Sequence, residues 1–267
     1  MTQTRPWLAN YPPGVGPEVN LDEFKSIVAV LESSCQRFRD RPAYRNFGTT
    51  LTYGDLDRMS SQFAAYLLRD LQLKKGDRVA IMMPNLLQYP VAIMGILRAG
   101  LIVVNTNPLY TARELRHQLK DSGALAIVVV DNFANTVQEV LADTDVKQVI
   151  TTGVGDLLKF PKGLIVNFVL KYIKKQIPAY TIPGAIRFDE ALRRGRRHNL
   201  PLIDIEPGDI AFLQYTGGTT GVSKGAMLTH RNIVANMQQA SSWIGGQLKP
   251  GQEVIITALP LYHIFSL

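Results

Sequence analysis

Arg78-Val79-Ala80-Ile81-Met82-Met83-Pro84-Asn85 opens the stretch on which the fold turns. A compact apolar run closed by a proline and an asparagine reads as a buried strand. Leu87 to Arg98 then has the length and spacing of a helix, stopped by Ala99-Gly100, and Leu101 to Val104 is a second strand ending in Asn105-Thr106-Asn107-Pro108. Thr111 and Glu114 make a capping box for a helix that reaches about Asp121, before Gly123. Ala126 to Val130 follows as a strand, Phe133 to Ala142 as a helix and Val146 to Thr151 as a strand. Helices alternating with short, almost wholly apolar strands imply βαβ units and a parallel sheet covered on both faces. The expected class is α/β, and ligands of such sheets gather at the carboxyl ends of the strands.

Upstream, the first twenty residues look extended, with Trp7 and Tyr11 available to pin them to the body. Ile27, Val30, Leu31, Ser34, Cys35 and Phe38 recur at helical spacing. Ala43 to Phe47 and Thr50 to Tyr53 flank Gly48 as a candidate hairpin, and Thr52 with Asp55 caps a helix whose core face is Leu56, Met59, Phe63 and Leu67. Downstream, Gly153 to Glu206 breaks the rhythm. Within it, Leu164 to Lys175 puts Asn167, Lys171, Lys174 and Lys175 on one helical face, and Leu164, Ile165, Phe168, Val169, Tyr172 and Ile173 on the rest. Such a helix packs on the sheet and solvates its lysines, which spacing alone favours, or it lies in an anionic membrane interface. Nucleic acid is disfavoured, because no stacking aromatics accompany the charge.

Composition is that of a globular chain, 46% hydrophobic and 19% charged. The net charge is +7; residues 159–197 hold ten Lys or Arg against two Asp or Glu, a local +8, and the remainder, with 19 basic and 20 acidic residues, carries −1. The single cysteine, Cys35, excludes an internal disulfide framework and reads as a buried, inert thiol. Met1 to Asn20 lacks the apolar core of a signal peptide. The most apolar window, Leu86 to Val104, contains Pro90, Arg98 and Gly100 and reads as helix, stop and strand rather than a membrane span. A cytoplasmic protein is expected.

The chemistry-bearing stretch is Tyr215-Thr216-Gly217-Gly218-Thr219-Thr220-Gly221-Val222-Ser223-Lys224-Gly225, directly after the apolar run Ile210 to Leu213. A glycine-rich turn after a strand lets backbone N–H groups converge on an anion, and hydroxyls and a lysine add donors and charge. The order Lys224-Gly225 excludes the Walker pattern, in which lysine follows the last glycine. Behind it, Thr229 is the expected N-cap of a further helix, which makes His230 structural. His117 and His198 are expected to be solvated. His263, inside the strand-like run Leu259-Pro260-Leu261-Tyr262-His263-Ile264-Phe265, is either a satisfied core histidine, which spacing favours, or a site residue. Ser223 lacks the G-x-S-x-G frame of a nucleophile.

Tyr215 to Gly225 and Leu259 to Phe265 together resemble two signature motifs of the adenylate-forming superfamily, which contains acyl-CoA synthetases, luciferases and nonribosomal adenylation domains. Gly76-Asp77-Arg78-Val79-Ala80 and Leu97-Arg98-Ala99-Gly100 through Asn107-Pro108 also fit. The resemblance implies the covered, largely parallel β-sheet layers of that superfamily's N-terminal domain, incomplete here. Residues 1–205 would be a helical lead-in and a first α/β subdomain with a basic amphipathic insert, and 206–267 the phosphate loop and the start of the next. It further implies ATP-dependent ligation of a long-chain fatty acid to CoA through an acyl-adenylate, in the manner of the bacterial enzymes that feed β-oxidation. An aryl or medium-chain acid as substrate, and a non-catalytic nucleotide-binding fragment, are the alternatives. Tyr215 to Gly225 would bind the ATP phosphates, with Thr216, Gly217, Gly218, Thr219, Thr220, Gly221 and Lys224 cradling the β- and γ-phosphates. Mg²⁺ would arrive with ATP, Thr220 being a candidate contact, and Tyr262 and His263 would shape the carboxylate end of the acyl site. Lys171, Lys174 and Lys175 would meet the inner face of the cell membrane. Members of the superfamily are much longer, so the C-terminal lid domain with its adenylation lysine is expected beyond Leu267, and this chain alone is expected not to turn over. If the helices at 27–38 and 56–67 pack on that other half, their apolar stripes are exposed here and the chain dimerises.

Overall fold

A computed structural model describes residues 5–216 and 223–266. After a short 3₁₀ turn at Pro6–Asn10, where an extended lead-in was expected, Tyr11 packs edge-to-face on Trp243 while Trp7 stays exposed. Helix α1 (Ile27–Arg37), hairpin strands β1 (Pro42–Asn46) and β2 (Thr49–Thr52) and helix α2 (Tyr53–Arg69) follow. Then come β3 (Arg78–Met82), α3 (Gln88–Arg98), β4 (Ile102–Asn105), α4 (Ala112–Ser122), β5 (Ala126–Val130), α5 (Ala134–Val140) and β6 (Gln148–Thr152). The chain continues through α6 (Lys162–Phe168), with a π-helical turn at Val169–Ile173, then β7 (Ile186–Arg187), α7 (Phe188–Gly195), β8 (Ile210–Thr216), β9 (Lys224–Thr229) and α8 (His230–Ile244).

Local chemistry sets the boundaries. Thr52 with Asp55, Thr111 with Glu114 and Thr229 with Asn232 close reciprocal capping boxes at α2, α4 and α8, satisfying N–H groups that the first helical turn leaves unpaired. Gly123 ends α4 at φ +59, a conformation that glycine adopts without Cβ strain.

Seven strands form one sheet in the order β7-β6-β5-β3-β4-β8-β9, with every neighbouring pair parallel except β8 and β9. Successive side chains of a strand point to opposite faces, and both faces are covered. Val79 and Ile81 join one apolar cluster with α1, α2, α3 and α7, whereas Ala80 and Met82 join another with α4 and α5. Each large apolar side chain buried this way contributes about 1.5–3 kcal/mol. Strands from both sides of the expected division at 205/206 lie in this sheet, because β8 pairs directly with β4.

Two expectations are corrected. The stripes of α1 and α2 are not left bare, since Ile27, Leu31, Cys35, Leu56, Met59, Phe63 and Leu67 are all buried within this chain. The reason is that α2 packs between α3 and α7, whose glycines, Gly95 and Gly195, lie where a Cβ would collide with Phe63 and with the Gln62 carbonyl. Nor does the 164–175 segment bury most of its apolar side chains on the sheet: Leu164, Ile165, Phe168, Tyr172 and Ile173 are exposed, Val169 is half-buried, and Asn167 points inward. Cys35 is buried as expected, and burial pushes its thiol pKa up. Among the described residues, no helix is long and apolar enough to cross a membrane.

Candidate functional site

The carboxyl ends of the parallel strands hold the chemistry-bearing stretches. Strand β8 runs out at Thr216 and β9 begins at Lys224, the two being the last ladder pair and both exposed. Gly217, Gly218, Thr219, Thr220, Gly221 and Val222 lie between them, outside the described residues. Among the described residues, the stretch thus joins two antiparallel strands and leads into a strand, not into a helix as a Walker loop does. Helix α4 grips both feet of the hairpin. The Tyr215 hydroxyl donates to Asp121 Oδ2 at 2.5 Å, and His117 Nε2 donates to the Ser223 carbonyl at 3.0 Å. His117 and Asp121 are one helical turn apart and so share a face. Burial, then the Asp121 carboxylate, pushes the Tyr215 phenol well up. Its ring lies against Gly225, where an added Cβ would meet ring carbons at 3.0 Å. Tyr215 therefore fixes the strand beneath the loop, while Thr216 and Lys224 present a hydroxyl and a cation at the sheet edge. His117 is not solvated, as its helical position suggested, because Ser223 lies over it.

The second stretch is laid across the same edge by amide side chains. Asn85, just past β3, donates through Nδ2 to the carbonyls of Thr257 (3.1 Å) and Leu259 (2.8 Å), and its Oδ1 accepts from Leu261 N at 2.8 Å. Buried Gln214 of β8 donates to the Tyr262 carbonyl at 3.0 Å and accepts from Asn105 Nδ2 at 3.0 Å. The Tyr89 hydroxyl completes this chain on Asn105 Oδ1 at 2.8 Å. Tyr262 is half-buried beside these groups, but His263 is exposed. Leu259 to Phe265 forms turns rather than a strand: His263 N donates to the Pro260 carbonyl, and its Nδ1 accepts from Phe265 N at 3.3 Å. The core reading of His263 fails because Pro260 starts a turn that carries the ring outward. Sequence reasoning missed Asn85, Asn105, Gln214 and His117. The available signal was an amide at or just past the end of an apolar strand, where a polar side chain has no core role.

Thr216, Lys224 and Tyr262 are thus brought to one edge of the sheet. Lys171, Lys174 and Lys175 are not with them; they are exposed on the segment between β6 and β7. His230 has the structural place expected of it and is buried: its Nδ1 accepts from Ile27 N at 3.3 Å, and burial lowers its pKa to about 4. His198, at the end of α7, is exposed and pairs with Asp70 at 2.8 Å.

Comparison with known proteins gives a consistent picture. The profile of the AMP-binding enzyme family matches residues 31–267. The chain is 57% identical over 261 residues to the long-chain-fatty-acid–CoA ligase of Escherichia coli O6:H1, covering 98% of this chain and 46% of that protein. It is 37% identical over 268 residues to the long-chain-fatty-acid–CoA ligase of Bacillus subtilis strain 168, covering 100% of this chain and 47% of that protein. The crystal structure of a long-chain-fatty-acid–CoA ligase from Archaeoglobus fulgidus superposes with a TM-score of 0.73 at 23% identity, over 96% of this chain and 46% of that one, which shows the shared fold. The chain spans about half the length of the curated relatives it matches.

Proposed function

The chain belongs to the AMP-binding enzyme family, and on that footing we propose that it serves, as the N-terminal half of a ligase, to activate long-chain fatty acids to acyl-CoA. An oxygen of the fatty carboxylate attacks the α-phosphorus of ATP and pyrophosphate leaves. The CoA sulfur then attacks the acyl carbon, its thiol proton is lost, and AMP leaves. Both first-step partners are anionic, so the protein's task is charge neutralisation and in-line positioning. Thr216 and Lys224, paired and exposed at the hairpin foot, suit a polyanion. With Gly217, Gly218, Thr219, Thr220 and Gly221 they are assigned to the β- and γ-phosphates, Mg²⁺ accompanying ATP with Thr220 as a candidate contact. Tyr262 and His263 are assigned to the carboxylate end of the acyl site. The lid domain with its adenylation lysine is assigned to the part of the relatives' length beyond 267, and residues near 205/206 to the boundary between subdomains.

The observation that carries this reading is Gln214: two residues before Thr216, it holds the Tyr262 carbonyl and so couples the phosphate stretch to the acyl stretch. Oleate-dependent ATP–pyrophosphate exchange by a full-length protein containing this chain tests the assignment. Exchange with octanoate or benzoate but not oleate would transfer it to the medium-chain or aryl alternative, and no exchange with any acid would leave a nucleotide-binding module. Lys224→Ala should weaken ATP binding by about 1.5 kcal/mol, roughly tenfold. The substrate and the basic segment at 171–175 support a cytoplasmic site of action with peripheral contact to an anionic membrane, the acyl-CoA product being of the class consumed by β-oxidation.

A further inference from the structure

The segment between β6 and β7 presents Phe160, Leu164, Ile165, Phe168, Tyr172 and Ile173 outward. Gly155 and Gly163 pack so closely that a Cβ on either would collide with the other's carbonyl oxygen. One turn on, Asn167 turns inward: its Oδ1 accepts from Gly155 N at 2.8 Å, and its Nδ2 donates to Asp156 Oδ1 at 2.8 Å. Asp156 Oδ2 caps Gly153 N at 2.7 Å and pairs with Arg187 Nη2 at 2.6 Å, and Arg187 is also held by Asp131 at 2.7 Å. The side of the segment facing the protein is thus built from glycine, hydrogen-bonded polar groups and the half-buried Val166, Val169 and Leu170. Its other side carries the bulk: Leu164, Ile165, Phe168, Tyr172 and Ile173 are each more than half exposed, and neighbouring Phe160 is 85% exposed. Bulky apolar side chains exposed together along one short segment mark a contact face.

Charge identifies the occupant. Residues 157–185 hold five lysines, Lys159, Lys162, Lys171, Lys174 and Lys175, and no Asp or Glu. Bulky apolar groups flanked by cations suit a surface that is anionic at its rim and hydrocarbon beneath, as a bilayer with acidic lipid is. The segment from Lys162 to Ile173 is about 18 Å long at 1.5 Å per residue, so it would lie in the interface plane rather than span it. The face borders an apolar cleft of about 380 Å³ between Ile165, Val169 and Leu170 of the segment and Pro84, Val130 and Val154 at the strand ends. Four strand intervals, about 19 Å, separate β6 from β8 along the sheet.

Resting on the membrane contact proposed above, we infer that Phe160, Leu164, Ile165, Phe168, Tyr172 and Ile173 enter the headgroup–acyl boundary of an anionic bilayer, with Lys159, Lys171, Lys174 and Lys175 on lipid phosphates and the Arg187–Asp156–Asn167 bonds holding that face outward. Lipid then lies beside the sheet edge that carries Thr216 and Tyr262.

Co-sedimentation of the chain with phosphatidylcholine vesicles, with and without phosphatidylglycerol, tests this. Wild type binds the anionic vesicles. Replacing Phe160, Leu164, Phe168 and Tyr172 with serine weakens that binding at least tenfold with an unchanged circular dichroism spectrum, since all four are exposed. Lys171→Glu, Lys174→Glu and Lys175→Glu together weaken it at least tenfold on anionic vesicles only. Depth is read from Phe168→Trp in a Trp7→Phe, Trp243→Phe background, where brominated lipid chains should quench the new fluorophore and iodide should stop doing so once vesicles are added. Serine variants that bind as well as wild type would leave a membrane contact standing but remove this face from it. A Phe168→Trp reporter already shielded from iodide without lipid would mark a contact between protein copies and overturn the inference. Oleate-dependent exchange is scored separately, so a failed ligase reading and a failed docking face give different results.

Discussion

His230 links the start of α8 to the start of α1, and its burial gives the molecule a pH signature. Folded His230 titrates near 4 against an ordinary 6.5, because burial opposes the charged form; Asp209 raises the value and Lys75 lowers it, but neither outweighs burial. Between those values only the unfolded chain binds the proton, so stability falls as pH falls from about 6.5 toward 4, and above 6.5 the effect vanishes. Between pH 7 and pH 5 wild type should lose about 2 kcal/mol more than His230→Gln, at 1.36 kcal/mol per pH unit, in urea titrations at each pH. Equal slopes for the two proteins would refute the assignment. His117 acts on the site instead. His117→Ala frees the Ser223 foot of the hairpin and should weaken ATP binding about fivefold, near 1 kcal/mol, by calorimetric titration. At this scale the sequence was half legible. Cap residues and the buried thiol follow from local chemistry, but partners far apart in sequence, such as Asn85 with Leu261 or His117 with Ser223, depend on which strands become neighbours.

Helix α2 shows how an element is located by what its neighbours lack. Its own pattern, with Leu56, Met59, Phe63 and Leu67 on one face, states that it is buried. The partners are fixed by Gly95 of α3 and Gly195 of α7, the latter set against the Gln62 carbonyl. Gly195→Ala should therefore cost about 2–3 kcal/mol in chemical denaturation, because backbone must move to admit one methyl. Gly246→Ala, with no atom within 4 Å of the added Cβ, should stay within about 0.5 kcal/mol of wild type and serves as the control. Period and capping made the elements from 27 to 152 readable. They failed for Leu259 to Phe265, whose apolar run forms turns pinned by Asn85, and for 164–175, where amphipathic spacing located a helix but not which side faces the protein. Beside the half-buried Val169 and Leu170, that orientation rests on one inward hydrogen-bonding asparagine and a glycine contact, neither of which registers in a hydrophobic pattern.

For the whole molecule, the parallel class was readable from alternation, but the strand order was not, since β3 sits between β5 and β4 and β8 returns to pair with β4. Exposed apolar surface was also expected, on α1 and α2, where folding buries it. It occurs instead in the 160–173 segment and after β8, where Met227 is 67% exposed and Val254, Ile255 and Ile256 each exceed 80%. The second region has no lysine cluster, which sets it apart from the 160–173 face. In a dimer of this chain, covering the three residues 254–256 on both copies would remove six side chains from water, at about 1.5–3 kcal/mol each. That gross gain, about 9–18 kcal/mol, is of the same order as an association cost of about 4–15 kcal/mol, so the contact should be weak and concentration-dependent. Multi-angle light scattering across a dilution series should show wild-type mass rising above the monomer as concentration rises. Val254→Ser, Ile255→Ser and Ile256→Ser together should restore the monomer without lowering the thermal midpoint, because side chains already in water contribute little to folding. A wild-type chain that stays monomeric throughout the series would show that this surface is tolerated bare.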